Sequence, residues 1–197
     1  MGRPRKFQEQ DVIASAGEAF SLGGYGGTTL DDLVTATGLG KQSLYNTFGG
    51  KRELFLRALT SEVEDAVAAV DEALTTGAAT PLERIQAYLL KLAITLSDDN
   101  RHGSLFTKAT VELADRDPEV AQSALHAFRD LERIYRDCII DAQKADEIDP
   151  AADADALAGF FLALTRGMEV LGNAGVSRAE LTRVVLTSLN VFPVSPR

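Results

Sequence analysis

Residues 28–55 read TTLDDLVTATGLGKQSLYNTFGGKRELF, and the fold turns on this stretch. Thr29 stands before an apolar pattern at Leu30, Leu33 and Val34, and Asp32 follows it by three residues, the spacing of a capping pair at a helix start. Gly38 predicts the stop, because glycine adopts a left-handed conformation at little cost and lets Leu39 fold back onto the apolar face. A second short helix is predicted from Lys41 to Phe48, after Gly40, and Lys51 opens a third. The order is helix, tight glycine turn, helix.

In the second of these helices Leu44 and Phe48 share an i, i+4 face. Lys41, Gln42, Ser43, Tyr45, Asn46 and Thr47 are left for another surface that is polar, aromatic and basic. In a helix-turn-helix the second helix enters the DNA major groove with its early residues at base edges. Gln42, Ser43 and Asn46 are therefore candidates for base edges, since Gln or Asn pairs bidentately with adenine. Thr29, Lys41, Tyr45, Thr47 and Lys51 are candidates for phosphates, with Lys51 at a helix N-terminus whose free N–H groups favour an anion. Ahead of them, residues 1–6 form a basic arm in which Arg3 and Arg5 are placed to reach a minor groove or the backbone.

Composition sets the limits. With 197 residues, 45% hydrophobic and 25% charged, the chain has the apolar material for a real core. No run of about 18 apolar residues predicts a membrane span and no secretory signal is recognisable, so a cytoplasmic location is expected. A single cysteine, Cys138, and only two histidines, His102 and His126, offer little material for disulfide, metal or histidine-based nucleophilic chemistry. No metal, cofactor or enzymatic activity is expected. The net charge of −9 argues at first against a nucleic-acid partner, but residues 1–57 carry seven basic and six acidic side chains, a balance of +1, which leaves −10 on the remainder. The acidity lies outside the predicted reader.

The rest of the chain reads as helices. Val12, Ile13, Ala16, Ala19, Phe20 and Leu22 recur at helical spacing from Glu9 to Leu22 and end at the glycine cluster of residues 23–27, with Phe20 and Tyr25 expected to anchor a three-helix core. Further helices are predicted from Lys51 to about Leu74, from Thr80-Pro81 to about Ser97, from Ser104 to about Asp115, from Asp117-Pro118 to about Lys144, from Asp149-Pro150 onward, and after Ser177. The expected architecture is all-α with about nine helices: a three-helix helix-turn-helix domain over residues 1–50, then a larger helical bundle over residues 51–197.

The series G-L-x-K-x-x-L-Y-x-x-F-x-x-K-x-x-L from Gly38 to Leu54, after Thr28, Thr29, Leu33 and Val34, resembles the DNA-binding signature of TetR-family transcriptional regulators. The match covers the first third of the chain. The resemblance implies a regulator, in most cases a repressor, that binds a palindromic operator as a homodimer and is released by a small-molecule effector. It implies that the last two long helices pair across a two-fold axis, for which Phe160, Phe161, Leu164, Met168, Leu181, Val185 and Leu189 supply apolar surface. It implies that the helices between Pro81 and Lys144 hold the effector, with Tyr88, Leu92, Phe106, Thr110, Glu112, Phe128, Tyr135 and Cys138 as lining candidates. Activation, or control by a partner protein, remains an alternative to repression, as does, more remotely, a helical-bundle enzyme.

Overall fold

The computed structural model describes residues 8–77, 79–98 and 103–193. Among them are nine α-helices and no strand: α1 (Glu9–Gly27), α2 (Leu30–Thr37), α3 (Lys41–Phe48), α4 (Lys51–Thr75), α5 (Pro81–Leu96), α6 (Leu105–Leu113), α7 (Pro118–Lys144), α8 (Ala154–Asn173) and α9 (Arg178–Ser188), with a 3₁₀ turn at Leu189–Val191. The all-α expectation holds. No helix among the described residues is long and apolar enough to cross a membrane.

Local signals start and stop these helices. The side chains of Thr29, Thr80, Ser104, Asp153 and Ser177 each accept a hydrogen bond from a backbone N–H in the following turn. Thr29 with Asp32, Thr80 with Glu83 and Ser177 with Glu180 complete reciprocal capping boxes. Gly38 ends α2 with φ 69° and Gly49 ends α3 with φ 88°, both in the left-handed region.

The described residues divide into two compact units. The first contains residues 8–65 and 103–124, so the three-helix reader shares its core with the start of α4 and with α6, and the expected edge at residue 50 is not where the packing ends. Its interior is built from Val12, Phe20, Leu33, Leu44, Phe48, Leu54, Phe55, Leu59, Leu105 and Phe106. Phe20 and Phe55 meet edge to face at 5.2 Å between ring centroids, and Tyr25 lies 4.8 Å from Phe55. α1 packs against both α2 and α6. Polar links tie the unit over long sequence distances: Ser104 Oγ and the Phe106 N–H both donate to Glu62 Oε1, at 2.8 and 3.0 Å, and Arg52 forks onto Asp117 and Glu119.

One expectation for this unit needs correction. The glycine cluster does not end the first helix; it breaks it at Gly24, where φ 70° and ψ 175° leave helical geometry, and the chain resumes helical form as far as Gly27.

The second unit contains the described residues of 66–98 and 125–193. α5 packs against α8 and α9 over an interior that includes Ile85, Leu89, Ala93, Leu131, Tyr135, Ile139, Phe161, Met168, Leu181 and Val185. Tyr135, Phe161 and Phe192 form a run of stacked rings, with centroids 6.2 Å and 4.9 Å apart. Four residues expected at a two-fold interface, Phe161, Met168, Leu181 and Val185, are therefore buried inside their own chain. The helical periodicity is real, but this unit needs those side chains for its own core.

A second correction concerns the start of α8. Asp149-Pro150 opens a turn instead of a helix: the Asp149 carboxylate accepts the Ala151 N–H at 2.8 Å, and the Gln143 amide donates to the carbonyls of Asp149, Pro150 and Ala152. The helix starts later, where the Asp153 carboxylate accepts from the Ala156 N–H.

Candidate nucleic-acid interface

The reading surface follows from what α3 buries. Leu44 and Phe48 are 1% and 2% exposed, which turns the remaining face outward. Lys41, Gln42, Ser43, Tyr45 and Asn46 are all exposed, and Thr47 is half-buried beside them. Arg3 and Arg5 of the basic arm lie outside the described residues.

The free protein already engages several of these side chains. Gln42 Nε2 donates to Asn46 Oδ1 at 3.0 Å, joining two of the three base-reading candidates, one turn apart, into a single polar plate. Lys41 Nζ lies 2.7 Å from Asp31 Oδ1 on α2, so this cation must exchange a carboxylate for a phosphate to serve DNA. The Thr29 hydroxyl donates to Asp32 Oδ2 at 2.7 Å and accepts from the Asp32 N–H at 3.2 Å. Its donor is spent on the cap, which weakens Thr29 as a phosphate ligand. The same hydroxyl and the Thr29 N–H hold the Asp32 carboxyl below its usual value, keeping it ionised.

Lys51 is the best-supported cation of the set. Its Nζ lies 4.4 Å over the Tyr25 ring, a cation–π contact that keeps the ammonium at the start of α4 without neutralising it. Asp31 and Tyr25 were not legible as partners of Lys41 and Lys51, because both contacts join residues that only the folded turn brings together. Arg57, over the Phe48 ring at 5.4 Å, is a further basic residue of this unit.

The effector candidates are divided between the two units. Phe106, Thr110 and Glu112 belong to the first unit, and Tyr88, Leu92, Phe128, Tyr135 and Cys138 to the second. Phe106 is core, the Thr110 hydroxyl donates to the Phe106 carbonyl, and Glu112 is bonded to the backbone of Tyr25 and Gly26. The Cys138 thiol contacts the Pro81 carbonyl at 3.5 Å, and burial raises its pKa against the influence of nearby Arg84, so it is a poor nucleophile.

Tyr88 and Tyr135 meet edge to face at 6.3 Å. Burial raises both phenols, and Arg166 forks onto Glu169 nearby, at 3.0 and 3.1 Å. An open groove of about 470 Å³ on this unit runs elsewhere, over the charged face of α7 at Arg129, Arg133 and Arg136, and contains none of the eight candidates. No group of three or more metal-ligating side chains occurs among the described residues.

Known proteins agree with this geometry over nearly the full length. The family described as bacterial regulatory proteins, tetR family, matches residues 12–58, and the tetracyclin repressor-like C-terminal domain matches residues 81–185. The chain is 33% identical over 162 residues to the uncharacterized HTH-type transcriptional regulator YezE of Bacillus subtilis (strain 168), covering 81% of this chain and 83% of that protein. It is 29% identical over 194 residues to the HTH-type transcriptional repressor ComR of Escherichia coli (strain K12), covering 98% and 92%. Among solved structures, a cysteine-substituted form of the TetR family transcriptional regulator CifR, complexed with 26 bp double-strand operator DNA, superposes with a TM-score of 0.86 at 25% identity, covering 98% of this chain and all of that one.

Proposed function

The chain belongs to the TetR family and is a DNA-binding transcriptional regulator, and from that premise we propose that it is a repressor that holds a near-palindromic operator as a homodimer and lets go when a small molecule binds. The observation that carries this reading is the outward face of α3, where the Gln42–Asn46 plate lies beside the row of Lys41 and Tyr45 on a helix fixed by Leu44 and Phe48. One such reader makes few contacts, whereas two presented about 34 to 36 Å apart meet successive major grooves.

For the two-fold surface we assign the exposed apolar side chains of α8 and α9: Phe160, Val170, Leu171 and Leu186, 39 to 51% exposed, with half-buried Leu164 and Leu189 beside them. Monomers rarely leave such a stripe bare. The effector is assigned to the second unit, around Tyr88, Leu92, Phe128 and Tyr135. A ligand there releases DNA only by the amount that it prefers the form unable to bind the operator.

Fluorescence anisotropy of the purified protein on its own upstream DNA, across a salt series, tests the reading. Saturable binding with two protomers per site and a steep fall with salt is the expected result; weak binding that is equal on every DNA would count against it. Phe160→Glu combined with Leu186→Glu is expected to yield a monomer in sedimentation and to lose operator binding with the dimer.

A further inference from the structure

The break in α1 is bridged by two side chains of α6. In an uninterrupted helix the N–H groups of Tyr25 and Gly26 would donate to the carbonyls of Ser21 and Leu22. Both of those rings contain Gly24, and neither closes across a residue with φ 70° and ψ 175°. The same four backbone groups instead meet α6. Lys108 Nζ donates to the Ser21 carbonyl and, at 2.8 Å, to that of Leu22. The Glu112 carboxylate accepts the Tyr25 N–H at 3.0 Å and the Gly26 N–H at 2.8 Å, one oxygen each.

The polarity is matched at both ends. The segment before the break ends in bare carbonyls and receives a cation, and the segment after it starts with bare N–H groups and receives an anion. Lys108 and Glu112 are one turn apart, with Lys first, which is the weaker order for an ion pair within a helix. Their placement is accounted for by the two ends of α1. Gly24 is needed twice over: its φ suits glycine alone, and a Cβ there would come within 2.7 Å of Glu112 Oε2.

We infer that Lys108 and Glu112 are positioning residues for the DNA reader: acting as a splice from α6, they place the Tyr25–Gly27 segment and, through it, the groups that face DNA. That segment carries the Tyr25 ring under Lys51 and runs directly into buried Thr28, whose hydroxyl bonds the Gly24 carbonyl at 2.7 Å, and then into Thr29 at the start of α2. The consequence for DNA rests on the reading proposed above; the hold on the segment does not.

The test uses the full chain and two independent readouts. In amide-resolved hydrogen exchange of the free protein, Glu112→Ala is expected to speed exchange at Tyr25 and Gly26 by about ten-fold or more, with Glu112→Gln intermediate. On the DNA fragment bound by wild type, Glu112→Ala and Lys108→Ala are each expected to weaken affinity about ten-fold on all sequences alike. The exchanged pair, Lys108→Glu with Glu112→Lys, keeps the net charge and the i, i+4 pair but sets the wrong sign at each end of α1. It is expected to bind no better than the single variants.

Wild-type affinity in the exchanged pair, or unchanged exchange at Tyr25 and Gly26 in Glu112→Ala, would overturn the inference. Should Glu112→Ala fail to fold, by its circular dichroism melt, Glu112→Gln and the exchanged pair carry the same two readouts. Should wild type bind no DNA at all, the proposed function falls, and the exchange rates at Tyr25 and Gly26 still decide whether the splice holds the segment.

Discussion

The two compact units combine apolar packing and long-range polar links in different proportions. In the first, charged side chains reach across long sequence distances to backbone groups and to one another: Glu62 to the start of α6, Arg52 to Asp117 and Glu119, Lys108 and Glu112 to the break in α1. In the second, aromatic rings stack through the interior from Tyr135 to Phe161 to Phe192. Directional polar links fix where a short element lies to within a hydrogen-bond length, which a DNA reader needs. Apolar burial supplies stability with less directional constraint, which suits a unit proposed to take up a ligand between its helices.

The largest expected effect falls on the ring stack. Phe161→Ala removes a side chain that is fully buried and should cost about 3 to 5 kcal/mol in chemical denaturation; a loss below about 1 kcal/mol would erase the contrast between the units. Next come the reader's own side chains. Gln42→Ala should surrender about 1 to 3 kcal/mol of base discrimination in competition with altered operators. Lys51→Ala should weaken every sequence together and lower the salt slope by about 1. Equal losses on all sequences for Gln42→Ala would remove its base-reading role.

Smaller effects test whether the caps of the two units are alike. Thr29→Ala and Thr80→Ala each remove a capping box and should cost about 1 kcal/mol in thermal or denaturant unfolding. A clear inequality would show one of them to be held by its surroundings instead.

The smallest effect concerns acid. Thr29 depresses Asp32 below 3.8 and Ser177 depresses Glu180 below 4.5. Burial alone would raise Asp117, but the N–H groups of Val120 and Glu119 and the Arg52 guanidinium outweigh it and hold it below 3.8. A carboxyl depressed in the folded state contributes stability that is complete above its unfolded value and is lost as pH falls through the lower folded value. Acid titration of stability should therefore be flatter for Asp32→Asn than for wild type, with the difference between them full at neutral pH and shrinking as pH falls through the folded value.

Much of the first unit was legible because its signals are local. Thr29 with Asp32, Gly38, and Leu44 with Phe48 each act within one turn of chain, and the helices they imply run between the residues expected. The same logic misled at Asp149-Pro150. Asp117-Pro118 starts α7, with the Asp117 carboxylate accepting from the N–H groups of Glu119 and Val120, whereas the same dipeptide at residue 149 makes a turn because Gln143 holds the carbonyls around it. Four residues expected at the two-fold surface lie in the chain's own core for a related reason. Periodicity shows that a helix has an apolar face, but not whether its own chain or a second copy covers it.

By itself, then, the sequence determined the helix types, most of their ends, the exposed face of α3 and the family, since each depends on contacts within a few residues or on spacing along one helix. Tertiary structure alone decided which apolar side chains of α8 and α9 are core, which candidates share a unit, and what meets the open backbone groups at Gly24. Those outcomes depend on residues far apart in sequence meeting in space, as when Glu112 meets Gly26 from 86 positions away, and no local pattern encodes such a meeting.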